Sequence, residues 1–195
     1  MGNSNRPEKA SRLLVASLHQ AVAERLPTRL EFYEHWLDTH KLRHDSNAPA
    51  RVMAALSFLR REDSEYDHVM TLAGRFAVDW EIESWPGLLT GILRGLPVFA
   101  RRWIVVRLAA RLLRRLGVAH RLKVRWHRDL VEAEVMESVF CDVRATSTTP
   151  LCVFHAAAIT RFLDQFGLGV SVDLKTCRVV AGDACCMVID MRTNH

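Results

Sequence analysis

At 195 residues, 49% apolar and 25% charged, the chain has a globular composition and enough length to bury one core. A net charge of +5 is modest, and aromatic residues do not interleave with basic ones at base-stacking spacing, so no nucleic-acid partner is expected. No run of eighteen uncharged apolar residues is present to span a bilayer, and no apolar segment near the start reads as an export signal, so a cytoplasmic location with reduced thiols is expected.

Residues 1–10 read as a polar tail and residues 11–195 as a single domain. The first 130 residues read as helical. Over residues 11–26, Leu14, Val15, Leu18, Val22 and Leu26 recur at helical spacing, and Pro27 ends the run. Thr28 and Glu31 have the spacing of a capping box for a helix over residues 30–41. Asp45, Ser46, Asn47 and Pro49 signal the start of a third helix, which runs through Met53, Leu56 and Leu59. A fourth spans residues 64–80, with Val69, Leu72, Ala73 and Phe76 on one side. Two Pro/Gly clusters, at residues 85–87 and 95–97, punctuate the next stretch. A long helix over residues 98–116 closes at Gly117.

From Arg101 to Arg128 there are ten Lys or Arg residues and no acid. Arg107, Arg111, Arg114 and Arg115 share one side of the long helix, beside Trp103, Val106, Ala110 and Leu113. Such a face binds an anionic membrane surface or an acidic protein, or else pairs inside the fold with Glu132, Glu134 and Glu137 or with the acids of the helix near Asp79.

The last third changes period. Val131, Ala133 and Val135 alternate with Glu132, Glu134 and Met136, a strand pattern. Pro150 suits the first turn of a helix over residues 151–166, which Gly167 and Gly169 end. Val170, Val172 and Leu174 alternate again, Gly182-Asp183 is a turn, and Cys185, Met187, Ile189 and Met191 share one face of a closing strand. The fold class is therefore α+β: a helical first two thirds, then a strand-helix-strand-strand antiparallel unit in one domain.

All five cysteines lie in this last third: Cys141, Cys152, Cys177, Cys185 and Cys186. Their odd number disfavours a complete disulfide framework. The pattern Glu137-Ser138-x-Phe140-Cys141, then PLCVFHAAAITRFLDQFG, then Thr176-Cys177-x4-Gly-Asp-Ala-Cys-Cys-x-Val, resembles the 4-vinyl reductase-type domain over residues 131–191. That hydrocarbon-binding type is grouped with the small TRAPP vesicle-tethering subunits and with sensor domains of phenol-responsive activators. The resemblance implies a mixed fold enclosing an apolar cavity, a homodimer, and binding of a small hydrophobic or aromatic ligand, with links to ligand sensing or to tetrapyrrole and bacteriochlorophyll metabolism. It also implies a zinc ion on three cysteines and a carboxylate. By motif position the cysteines are Cys152, Cys177 and Cys185. The position for the carboxylate holds Leu174, and Asp173 is the nearest acid; His155, one turn after Cys152, is another candidate.

Trp103, Phe140 and Phe162 are the expected lining of the ligand cavity. The same cysteine-rich tail is similar to the L-2-amino-thiazoline-4-carboxylic acid hydrolase family, which would make the chain an enzyme with a thiol at its site. His40 and His44 have an i, i+4 metal-ligand spacing, but with no Glu in the right place a solvated surface accounts for them better. No phosphate loop, dinucleotide-binding glycine pattern or nucleophile elbow is present.

Overall fold

The computed structural model describes residues 12–38, 48–61, 63–142, 147–180 and 183–192. The polar tail, the His40/His44 pair, the Asp45–Asn47 start signal and Gly182 of the expected turn lie outside the described residues. Seven helices and four strands follow in the order α1 (Arg12–Arg25), α2 (Leu30–Leu37), α3 (Ala48–Leu59), α4 (Asp63–Glu83), α5 (Gly87–Gly95), α6 (Val98–Arg115), β1 (Ala119–His127), β2 (Leu130–Ser138), α7 (Val153–Gln165), β3 (Ser171–Thr176) and β4 (Cys185–Asp190). The α+β class and the division into helical and sheet-bearing parts are as the sequence indicates. No described helix is long and apolar enough to cross a membrane.

Two elements differ from the sequence reading. The stretch after Gly117, expected within a helical first 130 residues, is a strand, β1. Residues between the two Pro/Gly clusters form a helix, α5, that begins at Gly87. The sheet therefore has four strands in the order β1-β2-β4-β3, and every neighbouring pair is antiparallel. Smaller shifts have local causes. Thr28 lies in a 3-10 turn, so α2 starts at Leu30 with no side-chain cap at Arg29. Helix α7 begins at Val153, because Cys152 is its N-cap residue.

The ends of α6 and α7 use one device. Gly117 and Gly167 take positive φ (71° and 68°), a region where a Cβ is costly. After α6, Gly117 donates to the Arg114 carbonyl at 3.0 Å and Val118 to that of Leu113 at 3.3 Å. After α7, Gly167 donates to Asp164 at 2.9 Å and Leu168 to Leu163 at 3.1 Å. Both are Schellman motifs, which satisfy the last carbonyls and turn the chain out of the helix.

One face of the sheet supplies the core: Val131, Ala133 and Val135 of β2 with Cys185, Met187 and Ile189 of β4 are buried. Helix α6 packs against β1 and α7 against β3, while α4 lies along both α1 and α7. The α4–α7 approach is close at Gly74, where a Cβ would sit 2.7 Å from the Phe154 carbonyl oxygen and 3.1 Å from the Ala158 nitrogen. Asp79 of α4 binds the same partner helix, accepting from Arg161 Nε at 2.7 Å and Gln165 Nε2 at 2.9 Å. Gly74→Ala is therefore expected to force the helices apart at a cost of about 1–3 kcal/mol in chemical denaturation. Gly91→Ala, where an added Cβ meets nothing within 4 Å, is the control and should not destabilise.

Candidate metal centre

Four chain segments meet at one end of the sheet and each brings a cysteine. Cys141 sits in the turn after β2, where its amide donates to the Ser138 carbonyl at 3.0 Å. Cys152 is the N-cap residue of α7, Cys177 follows β3, and Cys185 opens β4, paired across the sheet with Val135. All four are buried, and their Sγ atoms lie within 4.8 Å of one another. The separations are 3.1 Å for Cys152–Cys177, 3.3 Å for Cys141–Cys185, 3.5 Å for Cys141–Cys152, 3.6 Å for Cys141–Cys177 and 4.0 Å for Cys177–Cys185. Four sulfurs at the corners of a tetrahedron with roughly 2.3 Å metal–sulfur bonds stand about 3.8 Å apart, so the cluster has the size of a closed tetrathiolate site.

The surroundings orient the sulfurs. The Leu151 amide points at Cys177 Sγ (3.4 Å) and the Arg178 amide at Cys185 Sγ (3.5 Å). Tyr66 of α4 donates its buried hydroxyl to the Leu151 carbonyl at 3.0 Å and so fixes the segment that leads into Cys152. The thiols are uneven acids. Hydrogen bonds from Cys141, Cys152 and Cys185 draw the Cys177 thiol well below its ordinary range, while those with Cys141 and Cys177 push Cys152 far above it.

The cluster brings together Cys152, Cys177 and Cys185, and its fourth member is Cys141. Asp173 stands apart from it, exposed on β3 opposite Val188. His155 is buried one turn into α7, but its Nε2 lies 3.1 Å from the Val118 carbonyl oxygen, and burial pulls its pKa down to about 4, leaving a neutral ring. Cys141 is not among the expected ligands, because its role comes from the turn that Ser138 anchors; its sign in the sequence is its place in the Glu-Ser-x-Phe-Cys motif.

The expected cavity residues separate. Trp103 is exposed on α6 and lines an open groove of about 410 Å³ between α6 and β1, with Ile104, Leu108, Leu122 and Val124. Phe140 is buried against Phe154 (ring centroids 5.0 Å apart), and Phe162 lies between Trp85 and Phe166, at 5.8 and 5.3 Å. Neither lines that groove.

The four arginines of α6 also divide. Arg115 reaches Glu81 of α4 with two hydrogen bonds, at 2.8 and 3.2 Å, and Trp85 Nε1 donates to the same carboxylate at 3.1 Å. Arg107 stacks over the Trp103 ring at 3.6 Å. Arg107, Arg111 and Arg114 line the groove. The β2 acids are occupied by β1: Arg125 pairs with Glu132 (3.8 Å) and Glu134 (3.2 Å), and Arg121 with Glu137 (3.5 Å).

No family model and no curated protein matches the sequence. Solved structures do. A crystal structure of an H-NOX protein from S. oneidensis in the Fe(II)NO state superposes with a TM-score of 0.58 at 12% identity, over 94% of this chain and 99% of that one. A variant of an H-NOX protein from the same organism, in the Fe(II) state, gives 0.58 at 12% identity, over 95% and 97%. The NMR structure of a variant H-NOX domain from Shewanella oneidensis, in the Fe(II)CO state, gives 0.50 at 11%, over 93% and 98%. The fold is H-NOX-like.

This overturns the resemblance to the 4-vinyl reductase-type domain, because the solved neighbours over nearly the whole chain are H-NOX proteins. The physical reason lies in what the cysteine pattern encodes. It specifies a local thiol cluster on a strand, a helix start and a hairpin, and leaves the arrangement of the other helices open. An H-NOX-like fold hosts that cluster at the end of its sheet.

Glu81 is 5% exposed and bound by Arg115 and Trp85. Arg115→Gln is expected to leave this buried carboxylate short of its cation and to cost about 1–3 kcal/mol. Arg111→Gln, on the groove side, should shift thermal or urea unfolding by less than about 0.5 kcal/mol.

Proposed function

We propose that the chain is a small-molecule-binding module of H-NOX-like shape whose sheet-bearing part is clamped by zinc on the thiolates of Cys141, Cys152, Cys177 and Cys185. The observation that carries the metal reading is the convergence of four buried sulfurs at tetrahedral spacing. Zinc suits an all-sulfur tetrahedral set. Four protein ligands leave no open position, so the ion acts as a crosslink between the turn after β2, the start of α7 and the β3–β4 hairpin, and not as a reaction centre. The amides of Leu151 and Arg178 orient the sulfurs and offset their charge.

The neighbours are haem-binding sensors. A haem needs an apolar pocket and an axial His, Cys, Met or Tyr. In the three described cavities the sole such donor is Tyr33, and burial raises its pKa so that it stays a phenol, with Arg29 lowering it only in part. The buried His155 faces the Val118 carbonyl and lines none of the three. Among the described residues the donor set does not fit a haem.

Nor does the geometry favour thiol hydrolysis. Cys186, the thiol outside the cluster, lies 3.2 Å from Glu132 Oε1. Burial, then that carboxylate, pushes its pKa up to about 11, so at neutral pH it is a poor nucleophile.

Protein purified without chelator is expected to carry about one zinc per chain, measured by inductively coupled plasma mass spectrometry. Cobalt substitution should give the intense thiolate charge-transfer absorption of a tetrathiolate site. Cys141→Ser should lose most of the zinc, and Asp173→Asn should retain it. Folded, metal-free protein whose four thiols react freely with a thiol reagent would remove the reading.

A separate observation favours ligand binding. Beside α2 and α3 lies a cavity of about 590 Å³ lined by Phe32, Tyr33 and Phe58, with Arg29 and Arg61 among its polar groups. Its size falls within the usual range for small-molecule sites. Phe32 meets Tyr33 and Phe58 edge-to-face, with centroids 5.2 and 5.1 Å away, and Arg61 stands over the Phe58 ring at 5.3 Å. Aromatic walls beside guanidinium groups suit an aromatic acid. Aromatic carboxylates should raise the melting temperature in a concentration-dependent way, and Phe58→Ala should abolish the shift. No shift across such a series counts against this seat.

A further inference from the structure

Helices α5 and α6 carry a face that nothing else in the described protein covers. Exposed large apolar side chains gather there: Leu88 (77%), Leu89, Ile92 (55%), Val98, Phe99 (78%) and Trp103 (47%). These six lie within sixteen consecutive residues, whereas only three other large hydrophobics are similarly exposed in the described chain. A cluster this concentrated marks an interaction surface, while a scattering of single apolar residues would not.

The two helices are held together. Only Leu96 and Pro97 separate them, and Arg101 Nη1 donates to the Arg94 carbonyl at 2.8 Å. In α5, Leu88, Leu89 and Ile92 face outward while Leu93 is buried. In α6, Phe99 and Trp103 lie one turn apart, and Arg107, Arg111 and Arg114 continue the same stripe toward the helix end.

Charge then selects the occupant. From Ser84 to Arg128 the sequence has no Asp or Glu and eleven Lys or Arg. The nearby acids pair with other members of this stretch, Glu81 with Arg115 and the β2 acids with Arg121 and Arg125 of β1, and with none of Arg107, Arg111 and Arg114. Arg111 and Arg114 are exposed and have no carboxylate partner among the described residues. Exposed aliphatic and aromatic side chains on two consecutive helices, followed by unneutralised arginines, match the two demands of an anionic bilayer surface: an apolar layer to enter and phosphates to meet.

We propose that the α5–α6 face docks on anionic lipid membranes, with Leu88, Ile92, Phe99 and Trp103 entering the interface and Arg107, Arg111 and Arg114 meeting headgroup phosphates. The protein lies on the surface and does not cross it, since no described helix is long and apolar enough to span. Arg107 reaches the headgroups from above the Trp103 ring, a stacked geometry that a guanidinium tolerates well. This proposal is independent of the zinc and cavity readings, because it uses none of their residues.

The test is co-sedimentation of the full-length chain with vesicles of phosphatidylcholine containing about one third phosphatidylglycerol, against pure phosphatidylcholine. Binding is expected to the anionic vesicles and to fall steeply with salt, because exposed charges are screened over about 8 Å at physiological ionic strength. Arg111→Gln with Arg114→Gln should weaken it about thirtyfold. The triple variant Leu88→Gln, Ile92→Gln, Phe99→Gln should abolish it while circular dichroism and melting temperature hold, since all three side chains are exposed. Failure of the wild type to bind anionic vesicles overturns the proposal, as does unchanged binding by the triple variant. Equally decisive against it is a wild-type dimer in light scattering that the triple variant dissolves without any vesicle binding, which would make the face a contact between two copies of the chain.

Discussion

Four sulfurs in one buried volume create a charge problem that the surrounding structure is arranged around. Thiols can share protons, and here the sharing is lopsided, with Cys177 drawn toward thiolate and Cys152 held as a thiol. A second negative charge a few ångströms from the first, away from water, meets strong repulsion. Only a cation lets several of these sulfurs ionise together. The same point also locates the helices. Leu151 is bound through its amide to Cys177 and through its carbonyl to Tyr66 of α4, so the segment before α7 is tied to the sheet and to the helical layer at once. From there α7 runs along α4, where Gly74 permits backbone contact. His155 of α7 in turn meets the Val118 carbonyl at the exit of α6. Displacement of the cluster would be felt through α7 in both helical contacts.

The sequence disclosed the elements with a strong period or a strong stop. Helix α6 ends at Gly117 and α7 at Gly167 because those positions need positive φ, which glycine takes without penalty. Strand β1 carries a weaker signal: Leu122, Val124 and Trp126 alternate with Arg121, Lys123 and Arg125. The dense positive charge masks this alternation; β1 is an edge strand, where basic side chains are common because they block further pairing. Helix α5 was hidden by its three glycines, which lower intrinsic helicity. What supports it is tertiary, chiefly Leu93 in the core and the contact of Arg94 Nε with the Gln165 carbonyl at 3.0 Å.

The site was legible as a set of thiols and not as a geometry. The family resemblance supplies Cys152, Cys177 and Cys185 as a set, and the 177-to-185 spacing independently suits two strands joined by a tight turn. The fourth position was assigned through a family pattern and pointed at β3, where Asp173 is exposed. Cys141 comes from a turn after β2, and turns are the segments whose path depends most on the rest of the fold. The same limit explains the corrected resemblance. A cysteine pattern confined to residues 131–191 describes one corner of the molecule, while the H-NOX-like shape is a property of how seven helices and four strands pack together. At 12% identity that shape persists under a different set of local choices.

The arginines of α6 show how a single residue step decides between stability and surface chemistry. Each residue advances about 100° around a helix, so Arg107, Arg111 and Arg114 return to one stripe while Arg115 is turned a further step away from Arg114. That step brings Arg115 within 2.8 Å of Glu81, a carboxylate 5% exposed that also holds the Trp85 indole. Removal of this guanidinium strands a buried charge, so its role is to hold α4 against α6. The other three face a groove floored by Leu122 and Val124 and walled by Trp103. Had they been needed for folding, the β2 acids were the available partners, but β1 uses those in cross-strand pairs. The fold thus neutralises its basic segment selectively. It pairs β1 and the Arg115 end of α6 that reaches Glu81, and it leaves Arg107, Arg111 and Arg114 charged next to apolar side chains that water does not favour.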